Sequence, residues 1–376
     1  MFKTLFVFGT RPEAIKLCPV IQHMKAANGF DVRVAVTAQH RQMLDQVLAA
    51  FRIVPDFDLN LMTPNQTLTS SSSRMLAALE PVLAETRPDI VYVQGDTTST
   101  LCGALAAFYA RIPVGHVEAG LRTGDISQPF PEEMNRVVTG RLAAIHFAAT
   151  EGARTNLLAE GIYPGTIYVT GNSGVDAVLQ VSARLKSNEL TGADWSFLNP
   201  AKRLIVVTAH RRESFGPGFK NICAALRRIA SRGDVEIVFP VHHNPNVTGP
   251  VQKYLAGVAG IHLIDPLDYV PFVDLMQRST LLLTDSGGIQ EEGPSLGKPV
   301  IVMRDKTERP EAVEAGTVRL AGTDEERIVG EVTRLIENSH AREVMSRIHN
   351  PYGDGHASER IADATLNFLR ETLELR

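Results

Sequence analysis

Eight short runs of β-branched and aliphatic residues recur along the chain: Thr4 to Phe8, Val32 to Val36, Ile90 to Val93, Val114 to Val117, Leu204 to Thr208, Ile237 to Val241, Leu281 to Thr284 and Val300 to Met303. Each is too short for a helix and apolar on both faces, and helical patterns lie between them. A strand with two apolar faces needs cover on both sides, so the alternation predicts an α/β fold of doubly wound, Rossmann-like parallel sheets. In such sheets a ligand sits outside the carboxyl ends of the strands. With 376 residues, 44% of them hydrophobic, two domains of about 170 to 200 residues are expected. The boundary is placed near Thr170, giving domains over 1–170 and 171–357. The loop Pro351-Tyr352-Gly353-Asp354-Gly355 precedes a last helix, Ser358 to Leu375, which is expected to cross back onto the first domain.

Several function classes fall away. No apolar run approaches the roughly 20 residues of a membrane span, and MFKTLFVFGTRPE reads as a strand without a signal-peptide cleavage pattern. A cytoplasmic protein without a membrane partner is expected. Cys18, Cys102 and Cys223 are far apart among apolar neighbours, which suggests reduced core thiols. A net charge of -4 without a basic stripe makes nucleic acid a poor partner. The absence of GxGxxG removes the usual support for a dinucleotide-dependent oxidation.

In the second half, LTDSGGIQEEGPSLGKP (Leu283 to Pro299) takes a strand through a Gly-Gly turn into a helix. Ser286, Gly287 and Gly288 allow close backbone approach, and the helix start favours phosphate. Glu291 and Glu292, one turn in, suit a ribose diol, so the segment reads as a cradle for a nucleotide diphosphate. Arg309, opening a second helix, is suited to close around the ribose or diphosphate. His210 follows a strand beside Arg211 and Arg212, suited to meet phosphate or donate a proton. His242-His243 lacks a matching ligand set, which favours positioning over metal binding.

In the first half, Arg11 and Lys16 follow the first strand and suit an anionic substrate; a solvated helix start is the plainer reading. Asp96 ends the strand Ile90 to Val93 and reads either as a cleft carboxylate or as the cap of the following helix. Glu118, between Val117 and Ala119-Gly120, has little structural reason to be there. His116 orients a loop or takes part in catalysis. Glu132, in the proline-led start PFPEEMNR, either complements a helix dipole or joins Asp96 and Glu118 in one cleft. Crowded carboxylates shift one another's proton affinities, as a general acid and base require. Arg11, Lys16 and Arg122 nearby favour paired charge over a metal.

Taken together, FGTRPEAIK, QGDTT, GHVEAGLRTGD, PEEMNR, TAHRRESFG, DSGGIQEE, LGKPVIVMRDKTERPEA, AGTVRL and NPYGDG resemble the non-hydrolysing UDP-N-acetylglucosamine 2-epimerases of bacteria, in order from about Phe2 to Gly355. The resemblance implies a GT-B type fold with the active site in the interdomain cleft, and reversible conversion to UDP-N-acetylmannosamine. Anti elimination of UDP would give 2-acetamidoglucal, to which UDP adds back while an acid returns a proton to the opposite face. By similarity Asp96, Glu118, Glu132, His210 and Lys16 carry the chemistry, with Arg11 binding substrate. Ser286, Gly287 and Gly288 would hold the diphosphate, Glu292 the ribose, Arg309 a neighbouring hydroxyl or phosphate, and Phe272 would flank the uracil. No metal and no cofactor are implied. Leu267 stands where the family often has Gln, so that side-chain contact to the base is unavailable.

The resemblance also implies a second UDP-N-acetylglucosamine acting as allosteric activator at Gln39, His40, Arg41, Gln42, Gln46 and Arg74, with a polar helix start as the plain alternative, and a homodimer. Rival readings are a hydrolysing epimerase, a glycosyltransferase of the same fold and a nucleotide-sugar sensor.

Overall fold

Both sheets reverse their strand order at one point: Arg11, Lys16 and Asp96 follow the strands at the first, and His210, Ser286, Gly287 and Gly288 follow those at the second. The structure, a computed structural model, describes residues 1–38, 41–63 and 66–374. Its strands are β1 (Phe2–Phe8), β2 (Phe30–Val36), β3 (Phe57–Asp58), β4 (Ile90–Gln94), β5 (Val114–Ala119), β6 (Ile145–Ala148), β7 (Ile167–Val169), β8 (Arg203–Thr208), β9 (Val235–Pro240), β10 (Ile261–Ile264), β11 (Leu281–Thr284), β12 (Val300–Val302) and β13 (Val318–Leu320). One sheet runs β3-β2-β1-β4-β5-β6-β7 and the other β10-β9-β8-β11-β12-β13. Every strand pair is parallel. The order switches between β1 and β4 in the first sheet and between β8 and β11 in the second, where a doubly wound sheet opens its ligand crevice.

Five of these strands lie outside the eight runs legible in the sequence: β3, β6, β7, β10 and β13. Four of the five are sheet edges. An edge strand needs little length and has fewer neighbours to bury against, so its apolar signal is weak.

The chain divides into two compact units, Met1–Ala177 with Tyr352–Arg376, and Val178–Pro351. The division falls inside the helix Ser173–Lys186 and not at Thr170. Local hydrogen bonds explain the difference. The returning chain is held to that helix start: Asn172 N donates to the Tyr352 carbonyl at 2.6 Å, and Asp176 accepts from Ala357 N at 3.2 Å and Ser358 N at 2.7 Å.

In the first unit, alternate residues of β1 serve opposite faces. Leu5 and Val7 join a buried cluster with Leu79, Val82, Val91 and Ala104. Phe6 stacks on Tyr92 with ring centroids 4.5 Å apart, and the buried Tyr92 hydroxyl donates to Thr365 at 2.5 Å on the helix Ala357–Glu374. The last helix therefore packs on the first sheet, and the buried phenol keeps its hydrogen bond. Each such large side chain contributes about 1.5–3 kcal/mol by leaving water. In the second unit Ile205 and Val207 of β8 share a buried cluster with Phe219, Ile222 and Leu226 of the helix Pro217–Ala230. Cys18, Cys102 and Cys223 are free and buried. Among the described residues no helix is long and apolar enough to cross a membrane.

Candidate active site

At the first switch point β1 runs into the helix Arg11–Ala26, which opens with the capping-box residues Thr10 and Glu13, Glu13 accepting from the Thr10 amide. Glu13 is almost fully buried, and one carboxylate oxygen accepts from Gly9 N at 3.1 Å and Thr10 N at 2.8 Å. The other accepts from the hydroxyls of Thr97 at 2.9 Å and Thr100 at 3.3 Å, the cap and first turn of the helix after β4. Burial pushes the Glu13 carboxyl up from its ordinary value, against the lowering effect of these bonds. Glu13 thus ties together the turns that carry Arg11 and Asp96. Sequence reasoning missed it, although Thr10-x-x-Glu13 is the pattern of a capping box.

The next helix, Thr98–Tyr109, is capped by Thr97, whose side chain accepts from Thr100 N at 3.1 Å. That overturns the helix-cap reading of Asp96. Its carboxylate instead pairs with Arg136, and Asn135 Nδ2 donates to its carbonyl at 2.8 Å. Burial raises the Asp96 carboxyl; the Arg136 cation opposes the rise, Glu118 adds to it, and Lys16 opposes it. Asp96, Glu118 and Lys16 therefore act on one another electrostatically, as crowded charges should.

Glu118 is the clearest anomaly in the backbone. Its φ is +61°, and the β5–β6 register shifts between Val117 and Ala119, so a bulge re-aims this side chain at the strand end. A non-glycine residue in this region costs about 1–3 kcal/mol and persists where its surroundings hold it. Those surroundings are polar: Glu118 pairs with Lys16, accepts from Gln94 Nε2, and accepts from Asn172 Nδ2 at 2.9 Å. Gly95 lies beside it with φ +69°, a backbone conformation that favours glycine, and a Cβ there would make only ordinary contact with Glu118 Oε2 at 3.5 Å. His116 Nε2 donates to the Gly95 carbonyl at 2.8 Å, and burial pushes this imidazole down to about 3. His116 is neutral and holds the loop.

Glu132 begins the helix Glu132–Leu142, and its first turn carries the dipole-favoured acids. Asn135 and Arg136, three and four residues on and hence on the same helix face, are the groups that touch Asp96. The structure brings this helix face to Asp96 without a direct contact from Glu132. Arg122 is not available as a cleft cation: its guanidinium makes a two-pronged pair with Glu160 at 2.6 and 2.9 Å. Arg11 is the first residue of its helix and half-buried.

In the second unit the switch point brings together β8 and β11. Thr208 and Thr284 hydroxyls meet at 2.6 Å, and Asp285 N donates to the Thr208 carbonyl at 3.1 Å. Asp285 is fully buried. Its Oδ2 accepts from the amides of His210 and Arg211, both at 2.7 Å. His210 is half-buried and stacks on His242 with centroids 5.4 Å apart. His242 therefore serves as a packing partner. Burial lowers the His210 imidazole, Asp285 opposes that, and Arg211 and His242 add to it.

Ser286 precedes the helix Gly287–Ser295 and makes no side-chain cap. Gly288 has no positive φ, and a Cβ there would meet nothing within 4 Å, so neither backbone conformation nor packing within the protein explains its glycine. A ligand's close approach would. The two adjacent glutamates separate: buried Glu291 pairs with Arg309, whereas Glu292 is half-exposed. Arg211 reaches Glu308 at 3.6 Å, and Arg304 joins Glu308 at 2.7 Å and Glu213 at 2.5 Å. Phe272 is partly buried in the first turn of the helix Tyr269–Arg278.

Of the proposed activator residues, Gln39 and His40 lie outside the described residues, as does the side chain of Gln42. Arg41 pairs with Asp45 at 2.9 Å and with Asp58, Arg74 is bonded to Gln66, and Gln46 is exposed.

This arrangement of carboxylates and cations after β1, β4 and β5, with a histidine and Gly-Gly turn after β8 and β11, has relatives. The family description "UDP-N-acetylglucosamine 2-epimerase" matches residues 22–366. The chain belongs to that epimerase family. It is 57% identical over 370 residues to the UDP-N-acetylglucosamine 2-epimerase of Escherichia coli K12, covering 97% of this chain and 98% of that one. The epimerase from Neisseria meningitidis, solved bound to UDP-GlcNAc, superposes with a TM-score of 0.90 at 48% identity, over 97% of this chain and 100% of that one. The Methanocaldococcus jannaschii epimerase, solved with UDP-GlcNAc and UDP, gives 0.80 at 36% identity, over 97% and 99%. Glu13, Gln94, Arg136, Asn172 and Asp285 hold the strand-end residues described above and were left out by sequence reading.

Proposed function

We propose that this chain interconverts UDP-N-acetylglucosamine and UDP-N-acetylmannosamine without hydrolysis, by elimination of UDP to 2-acetamidoglucal and re-addition of UDP at C1 with the C2 proton returned to the opposite face, supplying N-acetylmannosamine for surface polysaccharide. The observation that carries the reading is the linked set Lys16–Glu118 and Asp96–Arg136 after β4 and β5 in a chain of this family. The C2 proton is not acidified by a neighbouring carbonyl. Breaking C1–O as the proton leaves avoids a free carbanion, and it calls for a carboxylate near C2 and cations near the departing diphosphate.

Asp96, Glu118 and Glu132 handle the protons, with Lys16 and Arg11 stabilising developing negative charge. Ser286, Gly287, Gly288, Glu292, Arg309 and Phe272 hold the nucleotide, and His210 faces the diphosphate. Incubation with UDP-N-acetylglucosamine in heavy water tests the reading. C2 deuterium in a sugar still attached to UDP is expected; free sugar would point to a hydrolysing epimerase, and no exchange would refute epimerisation.

The same reading includes activation by a second UDP-N-acetylglucosamine at Arg41, Gln46 and Arg74 with Gln39, His40 and Gln42. Arg41 and Arg74 would exchange their present partners for it. UDP-N-acetylmannosamine alone should then react slowly until a trace of UDP-N-acetylglucosamine is added, and equal initial rates would refute activation. We also assign a homodimer. The first unit presents a cavity of about 700 Å³ lined by Leu76, Leu83, Ala106, Tyr109 and Ile112 together with Glu80 and Arg87, a partly apolar surface of the kind that pairing covers. Sedimentation equilibrium at micromolar concentration checks it: a monomer of 41.0 kDa would refute it.

A further inference from the structure

We propose that Asp285 is a positioning residue for His210: its carboxylate pins the loop by accepting two main-chain N–H bonds and orients the imidazole through Nδ1, presenting Nε2 to the substrate. The inference rests on the assignment of His210 to the site given above and adds the group that sets its orientation and tautomer. Three observations carry it. Asp285 is fully buried at the end of β11, a place where an isolated carboxylate is costly unless its oxygens are engaged. Its Oδ2 is engaged twice, by His210 N and Arg211 N at 2.7 Å each. Its Oδ1 is buried and has no hydrogen-bond donor among the described residues, and it faces His210 Nδ1 at 3.5 Å.

An orphan acceptor aimed at a ring nitrogen selects the tautomer that carries its proton on Nδ1, and leaves Nε2 for the ligand. A separation of 3.5 Å is longer than a typical N–H···O bond and would shorten as the ring becomes charged against a bound anion. His242 stacks on the ring at an interplanar angle of 14° and limits its tilt. The titratable groups facing His210 are Asp285, Arg211 and His242; Glu308 offsets Arg211 from the loop after β12. Asp285 is the one whose charge favours the protonated ring.

The test is nitrogen NMR of the full-length protein with labelled histidine, His210 being assigned from the spectrum of His210→Asn. In the unsubstituted protein above the imidazole transition, His210 should carry its proton on Nδ1; a proton on Nε2 would overturn the proposal without any variant. In Asp285→Asn, whose amide oxygen still accepts from the loop, the His210 transition should move to lower pH and kcat should fall roughly 10- to 100-fold. The dissociation constant for UDP should stay within about threefold, under 0.7 kcal/mol. An unmoved transition, or loss of UDP binding in proportion to kcat, would overturn it. Full C2 exchange by His210→Asn would instead refute the placement of His210 in the site, while the tautomer and transition of the ring would still report on Asp285.

Discussion

Lys16 Nζ is ion-paired with Glu118 Oε1 across 102 residues of sequence. The two come from a helix start after β1 and from the bulged end of β5, and both are largely buried, with side-chain exposures of 18% and 7%. An ion pair so placed fixes each partner's position as much as its charge. Glu118→Gln keeps the size of the side chain and removes its basicity. C2 deuterium exchange should fall at least about 100-fold, while UDP affinity, measured by calorimetry, should stay within about threefold. Parallel loss of both would assign Glu118 to binding.

Asp96 carries a pH signature. Burial raises its carboxyl above the ordinary value and Arg136 holds the rise in check. If ionised Asp96 is the active form, activity climbs with pH through a limb lying above the ordinary carboxylate range. Removing the cation in Arg136→Leu raises the carboxyl further, so the limb should move to higher pH. A pH profile of kcat/KM checks this; a limb that stays still would detach Asp96 from the rate.

Glu13 makes a stability prediction. Glu13→Ala would strand Gly9 N, Thr10 N and the Thr97 and Thr100 hydroxyls that it satisfies. A loss of about 2–5 kcal/mol in urea unfolding is expected. The sign with pH follows from the raised carboxyl: the folded chain holds this proton more tightly than the unfolded one, so Glu13's contribution is greatest below the unfolded value and is lost as pH rises through the folded one. Glu13→Gln should remove that part of the slope.

Gly288 and Gly120 separate ligand approach from folding. A Cβ at Gly288 meets nothing within 4 Å, whereas one at Gly120, with φ +91°, would lie 2.2 Å from the Ala153 carbonyl oxygen. Gly288→Val should weaken UDP binding by about tenfold, 1.4 kcal/mol, with little change in Tm. Gly120→Ala should lower Tm. Unchanged UDP affinity in Gly288→Val would remove the turn from the binding site.

Local residue patterns specify the α/β class, every interior strand but β6, and the residue types at the strand ends. Apolar periodicity and Gly-Gly, Asp-Thr-Thr and His-Arg-Arg turns are local patterns, set by neighbours in the chain. Tertiary structure decided what those residues do. Whether Asp96 caps a helix or pairs with Arg136, whether Arg122 faces a ligand or Glu160, and which of Glu291 and Glu292 is taken by Arg309 all depend on partners brought from elsewhere in the chain. The same holds for Glu118 and Asp285, whose backbone strain and burial arise only when β5 and β11 take their places beside neighbouring strands. A carboxylate's role is set by the charges and donors within a few ångströms, and in a parallel sheet those neighbours come from crossovers far apart in sequence.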